Sequence, residues 1–501
     1  MTRSALAAAA ALLAVPGVAV AAGARAGFDN TEPLAAMQWY LPADHAWDYW
    51  AAQPKLAPIR VAVIDSGIDG GHPDLKGRVV AARSFVGGSP YTDEVGHGTF
   101  VAGLIAANPA NAEGIAGLAF NARLVVGKVV YPDGSVSVPA EVAAIHWAVD
   151  MGARVINLSL GGVRDPLSSR IDTYSPSEQA AVEYAYSKGA VIVAAVGNGS
   201  QSPKEPWPYA HYPAALPHVL GVGAVAADNS VPTFSNRDSV YLDLAAPGVN
   251  IFSTVPRQLV ADPACVDGPY SDCGPDEFHD AIGTSFAAPQ VAAAAALLLG
   301  RDPALRPDEV MWLLERYATD DTPASGCAEC ATGRDALTGW GTLDVAASLS
   351  ALGEGALLPP RDALEPNDDA GSWAHDVPPL PRTVDATLDY WDDDVDVYRV
   401  HLQKGDHLYA RLTPRSDARV AVALWSPGTA HVEGLRVDMS RRVAEATTTI
   451  AAQERLGAVA RRAGTYYIEA KLLTPTHDPV SYALSMVRQG AVPASTARMA
   501  H

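Results

Sequence analysis

Two patterns of hydrophobic and polar positions follow one another along the chain. In the first, short β-branched apolar runs stop on small or polar residues: Ile59-Arg60-Val61-Ala62-Val63-Ile64-Asp65-Ser66-Gly67, Arg123 to Val130, Val155 to Leu160 and Ala190 to Val196. Short, β-branched and largely apolar runs of this length predict strands buried on both faces of a parallel sheet. Helical patterns fall between them at Phe100 to Ala107, Ala140 to Met151 and Ser177 to Lys188. The last of these opens on a capping box with proline at the first helical position, Ser175-Pro176-Ser177-Glu178, and closes at Gly189. Strands alternating with helices predict an α/β fold around a doubly wound, mostly parallel sheet. Ligands of such sheets sit beyond the carboxyl ends of strands, where Asp65 falls. An aromatic lead-in, Gln38-Trp39-Tyr40-Leu41 and Ala46-Trp47-Asp48-Tyr49-Trp50, is expected to pack against this unit.

The pattern changes after Leu357 to Pro366, a proline-rich stretch that reads as a linker. Short alternating segments follow at Val395 to Leu402, His407 to Leu412, Val420 to Trp425, Thr465 to Ala470 and Tyr482 to Val487, punctuated by Gly405, Gly428 and Gly464. Period-two alternation predicts a smaller all-β sandwich. The acidic run Asp392 to Asp396 reads as a solvated start to a strand. The expected map is a leader over residues 1–26, an α/β domain over 27–356, a linker over 357–366, a β-sandwich over 367–488 and a disordered tail over 489–501.

Composition sharpens this map. A chain of 501 residues with 49% hydrophobic and 18% charged residues has enough apolar material for two packed cores. Arg3, the apolar stretch Ala5 to Val20 and the small-x-small sites Ala19-Val20-Ala21 or Ala24-Arg25-Ala26 predict a signal peptide, hence a secreted protein, extracellular or periplasmic. Its apolar run is broken by Pro16 and Gly17, and the best later candidate for a membrane span, Val291 to Leu299, is about half of the ~20 residues a span needs. No membrane span is expected. A net charge of -20 argues against a nucleic-acid partner. A monomer is expected. Cys265, Cys273, Cys327 and Cys330 allow three pairings in an exported protein, of which pairing of sequence neighbours is preferred.

Three islands carry chemistry: Asp65-Ser66-Gly67, His97-Gly98-Thr99-Phe100-Val101-Ala102-Gly103 and Gly283-Thr284-Ser285. Singly, they read as a turn cap, a core histidine and a helix cap. Together they supply what acyl transfer needs: an alcohol activated by an imidazole, itself oriented by a buried carboxylate. The order Asp, His, Ser on a parallel sheet resembles the subtilisin-like serine proteases, a likeness that spans roughly Gln38 to Ala347. It extends to His72-Pro73-Asp74-Leu75, to Val155 to Gly162 and to Ala194-Ala195-Val196-Gly197-Asn198. The resemblance implies a catalytic Asp65, His97 and Ser285, an oxyanion-hole Asn198, and substrate contacts at Ser159, Leu160, Gly161 and Gly197. Protein or peptide substrates, a broad and mildly apolar preference and no cofactor for the chemistry are implied with it. A structural calcium is a habit of the family. Asp74 and the loop Asn108 to Gly114 lie in one such neighbourhood, but alanines at 110 and 112 interrupt the donors and no metal residue is assigned.

This chain departs from the family pattern in two places. Phe100 stands where many relatives carry a second histidine, and only Gly27 to Met37 separates the cleavage zone from Gln38, which leaves no room for a folded inhibitory propeptide. Beyond the linker, Glu365-Pro366-Asn367-Asp368, Asp394 to Val400, Gly405-Asp406 and Gly464 to Ile468 resemble the bacterial pre-peptidase C-terminal domain. The competing reading is a non-catalytic cell-surface binding protein on a protease scaffold. An acid-active carboxyl-serine peptidase would want glutamate where His97 stands. The loop from Pro256 to Asp280, bearing Cys265 and Cys273, leads into Ser285, so reduction is expected to impair activity more than fold.

Overall fold

A computed structural model of the chain describes residues 27–260, 277–360, 362–365, 367–390, 394–432, 437–447 and 454–490. The expected leader, the Cys265–Cys273 pair, Asp392 and Asp393, and the tail beyond Gly490 lie outside the described residues.

Seven parallel strands form the central sheet: β1 (Ile59–Asp65), β2 (Val79–Ser84), β3 (Ala122–Lys128), β4 (Val155–Leu158), β5 (Val191–Ala195), β6 (Val219–Val225) and β7 (Leu244–Pro247). Their spatial order is β2-β3-β1-β4-β5-β6-β7. The chain winds one way from β1 to β3 and the other way from β4 onward, so the crevice between β1 and β4 is the switch point of the sheet. The helices are α1 (Tyr40–Ala43), α2 (His97–Ala106), α3 (Val138–Asp150), α4 (Pro176–Ser187), α5 (Arg257–Val260), α6 (Thr284–Arg301), α7 (Pro307–Arg316) and α8 (Val345–Glu354). Alternate residues of β1 serve opposite layers: Val61 and Val63 pack with α2 and α6, Ala62 and Ile64 with α3 and α4. The doubly wound α/β architecture is therefore present, with helices on both faces.

Helix α6 differs from the surface type, since from Thr284 to Gly300 every residue except Ser285 is buried. A helix apolar on all sides belongs in the middle of a domain. The lead-in packs as expected: Tyr40 and Trp47 are buried, and Gln38 bonds the Ala116 backbone through both ends of its amide. The strands β8 (Ile251–Thr254) and β9 (Phe278–Ala281) pair antiparallel and hand the chain to Gly283.

The C-terminal region is all β: β10 (His375–Asp376), β11 (Arg382–Leu388), β12 (Val395–Leu402), β13 (His407–Pro414), β14 (Val420–Trp425), β15 (Arg442–Thr447), β16 (Glu454–Val459), β17 (Gly464–Leu472) and β18 (Val480–Gln489). They form a five-stranded sheet, β10-β12-β17-β14-β15, and a four-stranded one, β11-β18-β13-β16, which share a core around Tyr398, Leu408, Tyr466 and Tyr482. Strand β18 reaches Gln489, which pairs with His407, so that residue belongs to the β region rather than to the expected tail. Asp396 also corrects the reading of a solvated acidic run. It is fully buried and bonded by Asn367 and by the Tyr482 hydroxyl, because it points inward from β12. Trp312 donates to the backbone of His477 at 2.9 Å and Trp340 packs at a tilt on the His477 ring at 3.8 Å, which joins the β region to α7 and to the loop between α7 and α8.

Candidate active site

Asp65 is the last residue of β1, placed by its pairing with Lys128 of β3 at the carboxyl edge of the sheet. His97 is the first residue of α2. Its Nδ1 lies 2.8 and 2.9 Å from the two carboxylate oxygens of Asp65, which is 1% exposed. What brings strand end and helix start together is a contact between glycines. A Cβ on Gly98 would sit 2.2 Å from the Gly67 carbonyl oxygen, far inside van der Waals contact, so the approach requires hydrogen at that position. Ser66 ties the same junction by accepting from the Gly98 amide at 2.8 Å and donating to Asp93 at 2.7 Å.

Asp93 escaped the sequence reading. It is fully buried and accepts from Ser66, from the Gly96 and Thr99 amides and from the Thr99 hydroxyl, thereby satisfying donors at the start of α2. An acidic residue four positions before a helix start was the available signal. Burial pulls the His97 imidazole toward neutrality, but the charge and hydrogen bond of Asp65, with the charge of Asp93, outweigh it and raise its pKa above the ordinary value. Behind the ring, Phe100 packs on Phe286 at 4.5 Å and Phe286 on His97 at 5.5 Å. The aromatic that departs from the family pattern thus props the imidazole from within α2.

Ser285 differs from the expected self-capping serine. The N-cap is Gly283, at φ +149°, and Ser285 is the second residue of α6. Its amide is therefore one of the donors that no helix carbonyl can reach. Pro289 also needs correction. It is the sixth residue of α6, inside the helix, and the amide it lacks would have bonded the Ser285 carbonyl. Ser159 fills that gap, its hydroxyl donating to the Ser285 carbonyl at 2.7 Å while it accepts from Asn157 at 3.0 Å. The expected substrate contact of Ser159 is through its backbone; its side chain is engaged within the protein and fastens the end of β4 to the start of α6.

Asn198 follows β5. Its side-chain oxygen accepts from the Thr284 amide at 3.1 Å and from the Thr284 hydroxyl at 3.2 Å. With the oxygen held there, the amide nitrogen is the end presented beside Gly283 and Ser285, the orientation an oxyanion donor needs.

A cleft of about 550 Å³ gathers these groups; Asp65, His97, Ser285, Asn198, Gly197, Ser159, Leu160 and Gly161 all line it. One wall is the segment after β4, anchored on its far side where Gly162 and Tyr212 exchange backbone bonds of 2.9 and 3.0 Å. Among the described residues, no backbone group of Ser159, Leu160 or Gly161 takes a partner within the chain, which leaves an unpaired strand edge facing the cleft. The opposite wall is the turn in which Val130 bridges Val136. The floor carries a second residue that sequence reasoning missed, His211. It packs against Gly197 and bonds the Ser202 hydroxyl at 2.7 Å, and burial pushes its pKa down to about 4. Nothing near His211 in the sequence announces this, because its role depends on a loop 13 residues beyond Asn198.

In the expected calcium neighbourhood, Asp74 accepts from Asn111 at 2.8 Å and from the Ile115 amide at 2.9 Å, and burial raises its pKa to about 6. The sulfurs of Cys327 and Cys330 lie at bonding distance, with a Cα–Cα separation of 5.4 Å. Among the described residues no helix is long and apolar enough to cross a membrane.

Comparison with known proteins points to one family. The sequence model of the Subtilase family (Peptidase_S8) matches residues 58–341, more than half of the chain. Subtilisin DY of Bacillus licheniformis is 38% identical over 267 residues, covering 53% of this chain and 85% of that protein. Subtilisin E of Bacillus subtilis (strain 168) is 38% identical over 294 residues, covering 58% and 67%. Among solved structures, fervidolysin from Fervidobacterium pennivorans, described as a keratinolytic enzyme related to subtilisin, is 26% identical with a TM-score of 0.54. That match covers 89% of this chain and 56% of fervidolysin.

Proposed function

This chain belongs to the subtilase family, and from that premise we propose that it is a secreted serine endopeptidase acting through Asp65, His97 and Ser285. The observation that carries the reading is the buried Asp65–His97 pair, opening onto one cleft with Ser285 and Asn198. Asp65 accepts from Nδ1 and so leaves the other ring nitrogen of His97 to take the proton of Ser285 as its oxygen attacks a peptide carbonyl. The tetrahedral intermediate places its negative oxygen against the Asn198 amide and the Ser285 backbone N–H. His97 then gives its proton to the leaving amine, and water hydrolyses the acyl-enzyme with His97 again as base. Side chains, the Ser285 amide and water carry every step.

Substrate lies as an added strand between the Ser159–Gly161 edge and the Val130–Val136 turn, with Gly197 and Leu160 beside the side chain that precedes the cut. Export by the leader, a disulfide at Cys327–Cys330, a structural calcium and a C-terminal domain of the pre-peptidase type complete the reading. A casein assay with and without a sulfonyl fluoride, run on wild type and Ser285→Ala, tests it. Activity should vanish in both the inhibited and the substituted enzyme; hydrolysis that survives Ser285→Ala would refute the assignment.

A further inference from the structure

Two glutamates line the candidate cleft and have no part in the proposed hydrolysis. Glu141 stands in the first turn of α3 and Glu178 in the first turn of α4, and both face the space shared by Ser159, Leu160, Gly161, Thr173 and Ser285. They are 2% and 3% exposed and hydrogen-bond each other. Burial raises both carboxyl pKa values, that of Glu178 to about 7 and that of Glu141 well above its ordinary range, where the charge of Glu178 adds to the effect. Two carboxyls in one site hold a proton between them and keep up to one negative charge. Among the described residues, neither forms an ion pair with a lysine, arginine or histidine.

Helix capping does not account for Glu178. Ser175 caps α4 by accepting from the Glu178 amide at 3.3 Å, which is half of a capping box. In the reciprocal half the glutamate turns back to the cap amide; here it turns inward to Glu141. Nor is the pair complete as a brace between helices. The Glu141 Oε1 atom is buried with no hydrogen-bond partner, a costly state that two apolar residues of similar volume would avoid. An unsatisfied acceptor, buried, on the wall of a cleft and next to a shared proton, points to a cationic donor that arrives from outside the protein.

We propose that Glu141 and Glu178 form an acidic subsite that selects a basic side chain of the peptide substrate, arginine above lysine. The proposal rests on the endopeptidase reading and narrows its substrate class. A guanidinium offers five N–H donors in a planar fork, which suits two facing carboxyls better than the single ammonium of lysine. Its positive charge favours the ionised pair. At one position of the substrate the proposal departs from the broad, mildly apolar preference expected of the sequence, because two acids line that part of the cleft.

The test uses the full chain and a library of internally quenched peptides scanned position by position with arginine, lysine, leucine and glutamate. One position should favour arginine over leucine in kcat/KM by about 10- to 100-fold, the worth of a charge-assisted hydrogen bond. In the Glu141→Gln/Glu178→Gln enzyme that ratio should fall to near one. In Glu141→Leu/Glu178→Leu, which removes the buried acids and keeps an apolar filling if the amide variant fails to fold, it should invert. Equal rates for arginine and leucine at every position, or an arginine preference that survives both double variants, would overturn the proposal while leaving the protease intact. If wild type cleaves no peptide, the endopeptidase reading falls instead, and the subsite is read by equilibrium binding of the arginine and leucine peptides to Ser285→Ala. About tenfold tighter binding of the arginine peptide supports it; equal affinities refute it.

Discussion

The bond from Ser159 to the Ser285 carbonyl makes a quantitative prediction, because Pro289 is the reason that carbonyl lacks a helical partner. Replacing Ser159 by alanine removes one hydrogen bond and leaves a partly buried carbonyl unsatisfied, which together cost about 1–3 kcal/mol. Replacing Pro289 by alanine returns an amide four residues after Ser285, where it can bond the same carbonyl. The Ser159→Ala cost should then shrink below about 1 kcal/mol, giving a coupling energy of roughly 1–2 kcal/mol between two residues 130 positions apart. Urea unfolding of the four proteins of this cycle, all carrying Ser285→Ala to prevent self-digestion, measures the coupling. Activity should follow in the uninhibited versions. A displacement of Ser285 by ~1 Å costs about 10²-fold, so the fraction of that shift released by Ser159→Ala should read as roughly tenfold in kcat/KM. Additive effects, within about 0.3–0.5 kcal/mol, would refute the idea that Ser159 stands in for the missing proline amide.

The raised pKa of His97 gives activity and stability opposite pH dependences. As a base His97 must be neutral, so kcat/KM should climb with pH through a value above about 6.5; a pH–rate profile already flat at that pH would contradict the Asp65 and Asp93 field. For stability, the folded state binds the proton more tightly than the unfolded one, so the pair's contribution is full below about 6.5 and is lost as pH rises through the folded pKa. Melting curves of wild type against His97→Gln across that window should show the gap closing upward in pH. Gly98→Ala should destabilise by ~1–3 kcal/mol through the clash with Gly67 and should lower kcat/KM by on the order of 10²-fold, since it separates Asp65 from His97. An active Gly98→Ala enzyme would show that the glycine contact does not set the pair.

The parts of the fold legible in the sequence were those written by local pattern. β1, β3, β4 and β5 are largely apolar runs, and their observed spans lie within one or two residues of the pattern; β4 stops at Leu158, and Ser159 to Gly161 line the cleft. β2, β6 and β7 were not picked out. Val79–Ser84 is half-exposed at the sheet edge, and Val219–Val225 carries two glycines that dilute the apolar signal. In the β-sandwich, β11, β15 and β16 were missed for a related reason, since their alternating exposed residues leave few apolar positions to count. Asp396 was misjudged because charge density along a sequence says nothing about which face of a strand each charge occupies.

The site divides along the same physical line. Asp65, His97, Asn198 and Ser285 could be found because each sits in a compact island whose neighbours do the local work: Gly67 and Gly98 permit the close approach, and Gly283 opens α6. Residues whose role is created by a distant contact left no such trace. Ser159 looks like one more small residue on a strand edge until Pro289 is seen to have emptied the carbonyl it serves. His211 becomes part of the floor only when its loop folds back on Gly197. Glu178 is the sharpest instance, because its sequence context explained it fully as a capping residue, and that explanation accounted for the amide while leaving the carboxyl unassigned. Its true partner, Glu141, lies 37 residues earlier on another helix. A local rule that is satisfied by half of a residue is therefore a reason to ask where the other half goes, and in this chain the answer leads into the cleft.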